Sequence, residues 1–245
     1  MSTNTADTPQ TPRLEILVIV AAYNEAPRIE ATLAALAAAF PGAPVWVADD
    51  GSNDATSELA RRAGARVVRS ERMVGKGASA TLAARDSLQE VPDQKSNATH
   101  DAEPIFILCD GDLAESASGL GALADTVRGG GADMAVAVFA TRVGGGVGLA
   151  VGFARWAIRR RCGLEMRAPI SGQRALRASV LEDVLPFARG FGMEIGMTID
   201  AARAGHRIAE VELDLSHRAT GRTLPGFLHR GRQLADFVRV YIARR

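Results

Sequence analysis

The chain is poor in cysteine and lacks long apolar stretches, and each shortage excludes a class of protein. Its two cysteines, Cys109 and Cys162, form neither a disulfide framework nor a metal-binding spacing, which favours a reduced intracellular protein. No apolar run reaches the roughly 18 residues of a membrane span, and the longest candidate, 147–158, contains Arg155. We therefore expect a cytoplasmic protein, either soluble or lying on the inner face of the cell membrane.

The chain also lacks an excess of charge, because its net charge is only +1. This gives no general attraction to nucleic acid, so no nucleic-acid partner is predicted. Only two of its 29 basic residues, Lys76 and Lys95, are lysines. Arginine binds carboxylates and phosphates bidentately, although a compositional bias of the coding sequence explains the excess of arginine equally well.

Strand-like and helical patterns alternate along most of the chain. This alternation predicts an α/β fold, a single domain with a mostly parallel central sheet and helices on both faces. The polar residues 1–13 are predicted to be a disordered tail, 14–224 the domain, and 225–245 a basic amphipathic helix. The predicted strands are 15–22, 45–48, 67–68, 105–109, 134–140 and 208–215; the predicted helices are 27–40, 55–63, 76–88, 116–127, 147–162 and 193–204; and 90–104 and 171–174 are predicted loops.

The segment IFILCDGD contains the most informative pattern. Five mostly apolar residues predict a buried strand, and Asp110 and Asp112 follow at its carboxyl end. Ligands of open α/β sheets bind beyond this end of the strands. Two hard oxygen ligands there suit Mg²⁺ or Mn²⁺, which can in turn hold a diphosphate. A solvated Asp-Gly-Asp turn is the alternative.

Two further polar clusters follow earlier predicted strands, Asn24 with Glu25 and Asp49 with Asp50. The repetition of such clusters at one edge of a sheet indicates a binding site rather than three unrelated turns. Asp50 has the chemistry to accept a hydrogen bond from the imino N–H of uracil or guanine. The neighbouring Asp54 suits the cap of the following helix better than a binding role.

Several of these segments resemble the nucleotide-binding half of the family 2 glycosyltransferases, which have the GT-A fold. The segments are VIVAAYNEAPRIEATL, VWVADDGSNDAT, GKGASA and ILCDGDL, in this order. Downstream, FATR, ISGQRAL, GFGMEIGMTIDAARAGHRIAEVEL and HRATGR resemble the branch that transfers mannose or glucose to polyprenyl phosphates, as dolichol-phosphate mannose synthases do. The resemblance covers roughly residues 14–224.

The resemblance implies a role for each matching residue. Ala22, Tyr23, Glu25, Asp50, Lys76 and Asp110 would bind the nucleotide, and Asp110 and Asp112 the metal. Arg142, Ser171, Arg174, Arg218 and Arg222 would bind phosphate groups, and Asp112 and Arg218 would be catalytic residues. Glu194 is a third candidate catalytic residue, suggested by its position in the chain and not by the resemblance. Two positions depart from the branch, because Ala114 replaces a metal-binding Gln and Gln173 replaces a Phe. For the arginines, ordinary surface charge is the alternative.

Glu194 lies in an apolar run, where burial would raise the pKa of its carboxyl towards that of a useful general base. Anchoring of its helix is the alternative. The role depends on the acceptor, because a hydroxyl must lose a proton as it attacks, whereas a phosphate monoester is already a nucleophile.

Apolar residues and arginines alternate in 147–161 and 217–245, a pattern typical of helices that lie in an anionic membrane interface. Packing of an ordinary helix on the domain explains the same pattern. The sequence thus predicts a metal-dependent glycosyltransferase that moves a hexose or N-acetylhexosamine from a nucleoside diphosphate, preferentially UDP, to polyprenyl phosphate at the cytoplasmic face of the membrane. The family resemblance implies that the transfer inverts the anomeric configuration. The alternatives are a small hydroxyl acceptor, such as a natural-product intermediate, and a non-catalytic sugar-nucleotide-binding protein.

Overall fold

The computed structural model describes residues 15–91, 103–140, 149–215 and 235–244. Its centre is a seven-stranded sheet with the order β3-β2-β1-β4-β6-β5-β7. The strands are β1 (Ile16–Ala22), β2 (Val45–Asp49), β3 (Arg66–Arg69), β4 (Ile105–Asp110), β5 (Met134–Phe139), β6 (Arg174–Arg177) and β7 (Ile208–Leu213). All pairs are parallel except those of β6, which runs antiparallel to both β4 and β5.

Helices cover both faces of this sheet, as the sequence predicts. They are α1 (Ile29–Ala39), α2 (Thr56–Arg62), α3 (Lys76–Leu88), α4 (Gly121–Arg128), α5 (Leu149–Cys162), α6 (Ala178–Val184), α7 (Met193–Arg203) and α8 (residues 235–243), with 3₁₀ turns at Ala114–Leu120 and Gly190–Gly192. Successive strand side chains point to opposite faces. Leu17 and Ile19 therefore pack under α3, α5, α6, α7 and α8, whereas Val18 and Val20 pack under α1, α2 and α4. Burial on both sides explains the mostly apolar runs of the parallel strands β1, β2, β4 and β5.

The prediction of a loop at 171–174 is wrong at its end, because Arg174 begins β6. This strand is only four residues long and contains two arginines, so it has no alternating apolar pattern. Both arginines are fully buried. Arg177 donates to the backbone oxygen of Val127 and lies 3.8 Å from a carboxylate oxygen of Asp133. Helix α6, which follows, was also missing from the prediction.

Helix α8 packs on the domain. Phe237 is fully buried and Val240 almost so, and both belong to the core that contains α7. Arg244 donates to a carboxylate oxygen of Asp200 at 2.7 Å, and Arg161 donates to the backbone oxygen of Tyr241 at 2.7 Å. The described part of the predicted amphipathic helix thus places apolar side chains in the core. Across the described ranges, no helix has the length and apolarity that a bilayer span requires.

We expect Val240→Ala to lower the free energy of unfolding by about 2 kcal/mol, because it removes two buried methyl groups and leaves a small cavity. Urea denaturation measures the change. Ile242→Ala on the same helix is the control, because Ile242 is 52% exposed, and should cost less than about 0.5 kcal/mol. Equal effects of the two substitutions would contradict the observed packing of α8.

Candidate active site

The three polar clusters meet at the carboxyl edge of the sheet. In the register of the strands, Ala22 pairs with Asp49 and Ala21 pairs with Asp110. The loops after β1, β2 and β4 therefore leave the sheet side by side. This confirms the prediction that the clusters share one edge.

The loop after β1 is fastened to the loop after β2. The backbone N–H of Asn24 donates to Ser52 Oγ at 2.9 Å, and that of Glu25 donates to Thr56 Oγ1 at 2.8 Å. Asp54 accepts hydrogen bonds from the backbone N–H groups of Thr56 and Ala26, so it stabilises the start of α2 and the neighbouring loop. Ala22 is buried beneath these loops and Tyr23 is 37% exposed beside them. Hydrogen bonds thus join the two loops, and Tyr23 is partly exposed on the loop after β1.

The carboxylates of the adjacent residues Asp49 and Asp50 bind different parts of the structure. Asp49 is fully buried and accepts hydrogen bonds from the backbone N–H of Ser52 and from the hydroxyl of Ser57, so its role is structural. Asp50 accepts from the backbone N–H groups of Val74 and Gly75 at 2.7 and 2.9 Å. It therefore holds the loop that leads into α3.

Because Gly51 has no side chain, the backbone of Arg72 and Met73 can pack closely against it. Its φ is +77°, and a Cβ there would lie 2.7 Å from the carbonyl carbon of Arg72. The Asp50 carboxylate has room for about four hydrogen bonds in total, so its bonds to the loop do not exhaust it. Recognition of a base by Asp50 stays a prediction.

Lys76, the first residue of α3, joins two carboxylates from distant parts of the chain. Its Nζ lies 2.6 Å from Asp110 Oδ1 at the end of β4 and 2.8 Å from Glu194 Oε1 in the first turn of α7. Burial alone would lower the pKa of Lys76, but attraction to the two carboxylates outweighs it and raises that pKa. Lys76 therefore keeps its positive charge at the sheet edge.

The turn before β6, residues 171–173, lies against Asp110 and Lys76. The Gln173 side chain is buried, and its Nε2 donates to Asp110 Oδ2 at 2.8 Å. Ser171 Oγ donates to Gln173 Oε1 at 3.2 Å. Gly172 lies so close that a Cβ there would be 2.6 Å from Lys76 Nζ and 2.8 Å from Asp110 Oδ2. Only glycine fits at this position without displacing the ion pair.

Arg174 does not face this site, which corrects the expectation that it binds phosphate. Its side chain is fully buried. Nε donates to the backbone oxygen of Ser171 and Nη1 to Thr198 Oγ1, both at 3.0 Å. Burial lowers the pKa of Arg174 to about 10, against the attraction of Glu194 and Glu210. The motif identifies the residue type, but the direction of the side chain depends on the strand β6 that the sequence did not reveal.

The turn between Asp110 and Asp112 is braced by Thr32 of α1. Thr32 Oγ1 donates to the backbone oxygen of Gly111 at 2.9 Å and accepts from the backbone N–H of Ala114 at 2.8 Å. Arg28 Nη1 donates to the backbone oxygen of Asp112 at 3.2 Å. Ala114 adopts a φ of +49°, a conformation uncommon for a residue with a side chain. Thr32 and Arg28 thus brace the backbone of residues 111, 112 and 114, the turn in which Asp112 lies.

We expect Thr32→Val to lower the free energy of unfolding by about 2 kcal/mol, because both backbone partners of its buried hydroxyl lose their hydrogen bond. Thr32→Ser keeps the hydroxyl and is the matched control, and chemical denaturation of both variants measures the difference. If Val and Ser behave alike, the hydroxyl does not brace the turn.

The chemistry of this site fits a divalent cation held jointly by protein and ligand. Asp110 and Asp112 supply hard oxygen ligands, which suit Mg²⁺ and Mn²⁺. The described part of the chain contains no group of three His, Cys, Asp or Glu side chains able to hold a metal ion. Mg²⁺ commonly binds one or two carboxylates and completes its coordination with substrate phosphates and water. A pair of aspartates is therefore sufficient when a diphosphate is bound.

The structure brings together Asp50, Lys76, Asp110 and Glu194 through the contacts described above, with Ser171 linked to Asp110 through Gln173. Arg142, Arg218 and Arg222 lie outside the described residues. Sequence reasoning missed Thr32, Gly172 and Gln173. All three lie in segments that resemble the family or its branch, but only Gln173 was singled out, as a departure from the pattern of the branch.

Comparison with known proteins identifies a family and a set of similar crystal structures. The family model for glycosyl transferase family 2 matches residues 17–185, whereas no curated protein matches the sequence. Crystal structures of glucosyl-3-phosphoglycerate synthase from Mycobacterium tuberculosis are similar to the chain. The complex with Mn²⁺, UDP-glucose and phosphoglyceric acid has 26% sequence identity and a TM-score of 0.67, covering 94% of this chain and 79% of that one. The complex with Mg²⁺ and UDP also has 26% identity and a TM-score of 0.67, covering 94% and 78%.

Proposed function

This chain belongs to glycosyl transferase family 2, and from that membership we propose that it transfers a hexose from a UDP-sugar to a small acidic acceptor with a free hydroxyl. A divalent cation, Mg²⁺ or Mn²⁺, would be held by Asp110 and Asp112. The observation that carries the proposal is the meeting of Lys76, Asp110 and Glu194 at the sheet edge.

The donor side of the proposal rests on the charges of the site. Departure of the nucleoside diphosphate develops negative charge on the phosphate oxygens, and a divalent cation would neutralise part of it. Lys76 lies against Asp110, at 25% side-chain exposure, and would supply an ammonium to the same diphosphate. Tyr23, Glu25 and Asp50 border the edge where the base and ribose would lie. The similar structures that hold UDP or UDP-glucose with Mn²⁺ favour UDP over GDP.

The acceptor side of the proposal favours a small molecule over a lipid. In 235–244, part of the pattern that suggested an interfacial helix, Phe237 and Val240 are buried in the core and Arg244 pairs with Asp200. The similar structures contain phosphoglyceric acid or glycerol 3-phosphate, both small phosphorylated molecules. Arg142, Arg218 and Arg222 are the residues we propose for the acidic group of the acceptor.

Glu194 suits the role of general base for a hydroxyl acceptor. It is 6% exposed, and its Oε1 lies 2.8 Å from Nζ of Lys76, the lysine that also contacts Asp110. The proposed reaction is a direct displacement. The acceptor oxygen bonds to the anomeric carbon, the bond from that carbon to the diphosphate breaks, and the hydroxyl proton passes to Glu194. The configuration at the anomeric carbon is then inverted.

Polyprenyl phosphate is the second candidate acceptor, because apolar side chains of α5 are exposed. On α5, Leu149 is 71% and Trp156 is 50% exposed, and Arg159 and Arg160 lie on the same helix. Such a surface suits an anionic membrane. Sedimentation with anionic liposomes at low salt tests this candidate, and absence of binding eliminates it, because electrostatic attraction is strongest under that condition.

The donor is tested by the thermal stability of the protein with nucleotides. We expect UDP with Mn²⁺ to raise Tm, since a ligand present at about 100 times its Kd stabilises the folded state by about 2.7 kcal/mol. GDP with Mn²⁺ and UDP with EDTA are the matched controls and should give smaller shifts. Equal shifts with UDP and GDP would contradict the assignment of the base. Binding of UDP-sugar without any hydrolysis or transfer would favour a non-catalytic binding protein.

A further inference from the structure

The two oxygens of the Asp110 carboxylate have chemically different partners. Oδ1 lies 2.6 Å from the ammonium of Lys76, and Oδ2 accepts a hydrogen bond from the amide of Gln173 at 2.8 Å. The first partner carries a full positive charge and the second is neutral. A divalent cation that binds this carboxylate is repelled by the first partner and not by the second.

The neutral partner is held firmly by its surroundings. Gln173 is 2% exposed, and its backbone oxygen accepts from the N–H of Ala137 at 3.0 Å. Its side-chain oxygen accepts from the Ser171 hydroxyl, which leaves the NH₂ group to face Asp110. Hydrogen bonds from such outer partners fix the orientation of a ligating carboxylate. Gln173 therefore sets the plane in which the Asp110 oxygens lie.

Lys76, the charged partner, can move away from Asp110 and still keep an ion pair. Lys76 Nζ also lies 2.8 Å from Glu194 Oε1, so this ion pair is retained when the contact with Asp110 breaks. The lysine side chain retains 25% exposure, whereas that of Glu194 has only 8%. An incoming diphosphate would offer the ammonium a second anion on its exposed side.

We infer that Gln173 is a positioning residue that orients Asp110 for the divalent cation, and that Lys76 competes with this cation for the same carboxylate until the phosphates of the nucleotide draw the ammonium away. This inference rests on the proposed metal site at Asp110. It predicts weak metal binding without nucleotide and tighter binding with it. By thermodynamic linkage, the metal tightens binding of the nucleotide by the same factor.

The test is a titration of the full-length protein with Mn²⁺ alone, in which electron paramagnetic resonance measures the free ion. We expect Gln173→Leu to weaken Mn²⁺ binding about 10–100-fold, the usual effect of removing an outer partner. Lys76→Met should instead tighten Mn²⁺ binding at least about fivefold, the lower range of coupling between sites. The two variants thus shift the same constant in opposite directions, which a loss of folding does not produce.

Arg69→Met is the matched control, because it removes a positive charge from the same sheet edge. Arg69 lies 3.8 Å from Asp49 and donates to the backbone oxygen of Ser52. Loss of this charge should leave the affinity for Mn²⁺ nearly unchanged. If Arg69→Met tightens Mn²⁺ binding as much as Lys76→Met does, the effect is due to the net charge of the site, and the proposed competition is wrong.

Each other outcome also decides a part of the inference. Unchanged affinity in Gln173→Leu overturns the positioning role, and weaker or unchanged affinity in Lys76→Met overturns the competition. If Gln173→Leu does not fold, Ser171→Ala removes only the hydroxyl that orients the amide and should weaken binding in the same direction. Failure of the wild-type protein to bind Mn²⁺ even with UDP would instead overturn the metal site on which the inference rests.

Discussion

Asp112→Asn is expected to lower the rate of metal-supported sugar transfer about 10²–10³-fold, the range found when one electrostatic contact to a developing charge is lost. The substitution removes one of the two anionic ligands proposed for the cation, and an amide oxygen binds a hard cation more weakly. The fold should persist, because Thr32 and Arg28 brace this turn through the backbone of residues 111, 112 and 114.

Initial rates of UDP release across a titration of Mn²⁺ measure the effect. Asp125→Asn is the matched control, because the Asp125 side chain is 73% exposed and pairs only with Arg128 among the ion pairs described. Its rate should equal that of the wild type. Unaltered activity of Asp112→Asn over the whole titration would remove Asp112 from the site.

The second large effect on the rate is expected for Gly172→Ala, which adds a single methyl group. Gly172→Ala places a Cβ within 3 Å of both Lys76 Nζ and Asp110 Oδ2, so one or both groups must move. A displacement of about 1 Å at a reacting centre can cost about 10²-fold in rate. We therefore expect a loss of this order in kcat/KM for the donor, with little change in Tm, because Gly172 is partly exposed.

Gly152→Ala is the matched control, because a Cβ at Gly152 on α5 meets no other atom within 4 Å. It should leave the rate unchanged, and the higher helix propensity of alanine should make α5 slightly more stable. A Gly172→Ala variant as active as Gly152→Ala would show that the turn before β6 does not control the ion pair of Lys76 and Asp110.

The parallel half of the fold could be predicted from the sequence because its strands are buried on both faces. Such strands are continuous apolar runs, as in 16–22 and 105–109, and the helix 76–88 was predicted with the bounds observed. The strand β6 was missed because RALR has two buried arginines in place of apolar residues. Their burial depends on partners such as Asp133 and Thr198, which are distant in sequence.

The acidic part of the site was predictable for a related reason. Residues that follow parallel strands meet at one edge, so Asp50 and Asp110 were placed together by topology alone. The contacts of Lys76 with Glu194 and of Gln173 with Asp110 join segments 118 and 63 residues apart, and no local pattern indicates them. Arg174 shows the opposite error, in which a motif suggests a role that the direction of the side chain does not permit.

Measurement of UDP release from UDP-glucose distinguishes the candidate acceptors when 3-phosphoglycerate, glycerol 3-phosphate or a polyprenyl phosphate is supplied, each with Mn²⁺ or EDTA. We expect release that requires both Mn²⁺ and a small phosphorylated acceptor, with formation of a glycoside whose anomeric proton identifies an inverted configuration by NMR. Release only with polyprenyl phosphate, or equal release in EDTA, would contradict this expectation.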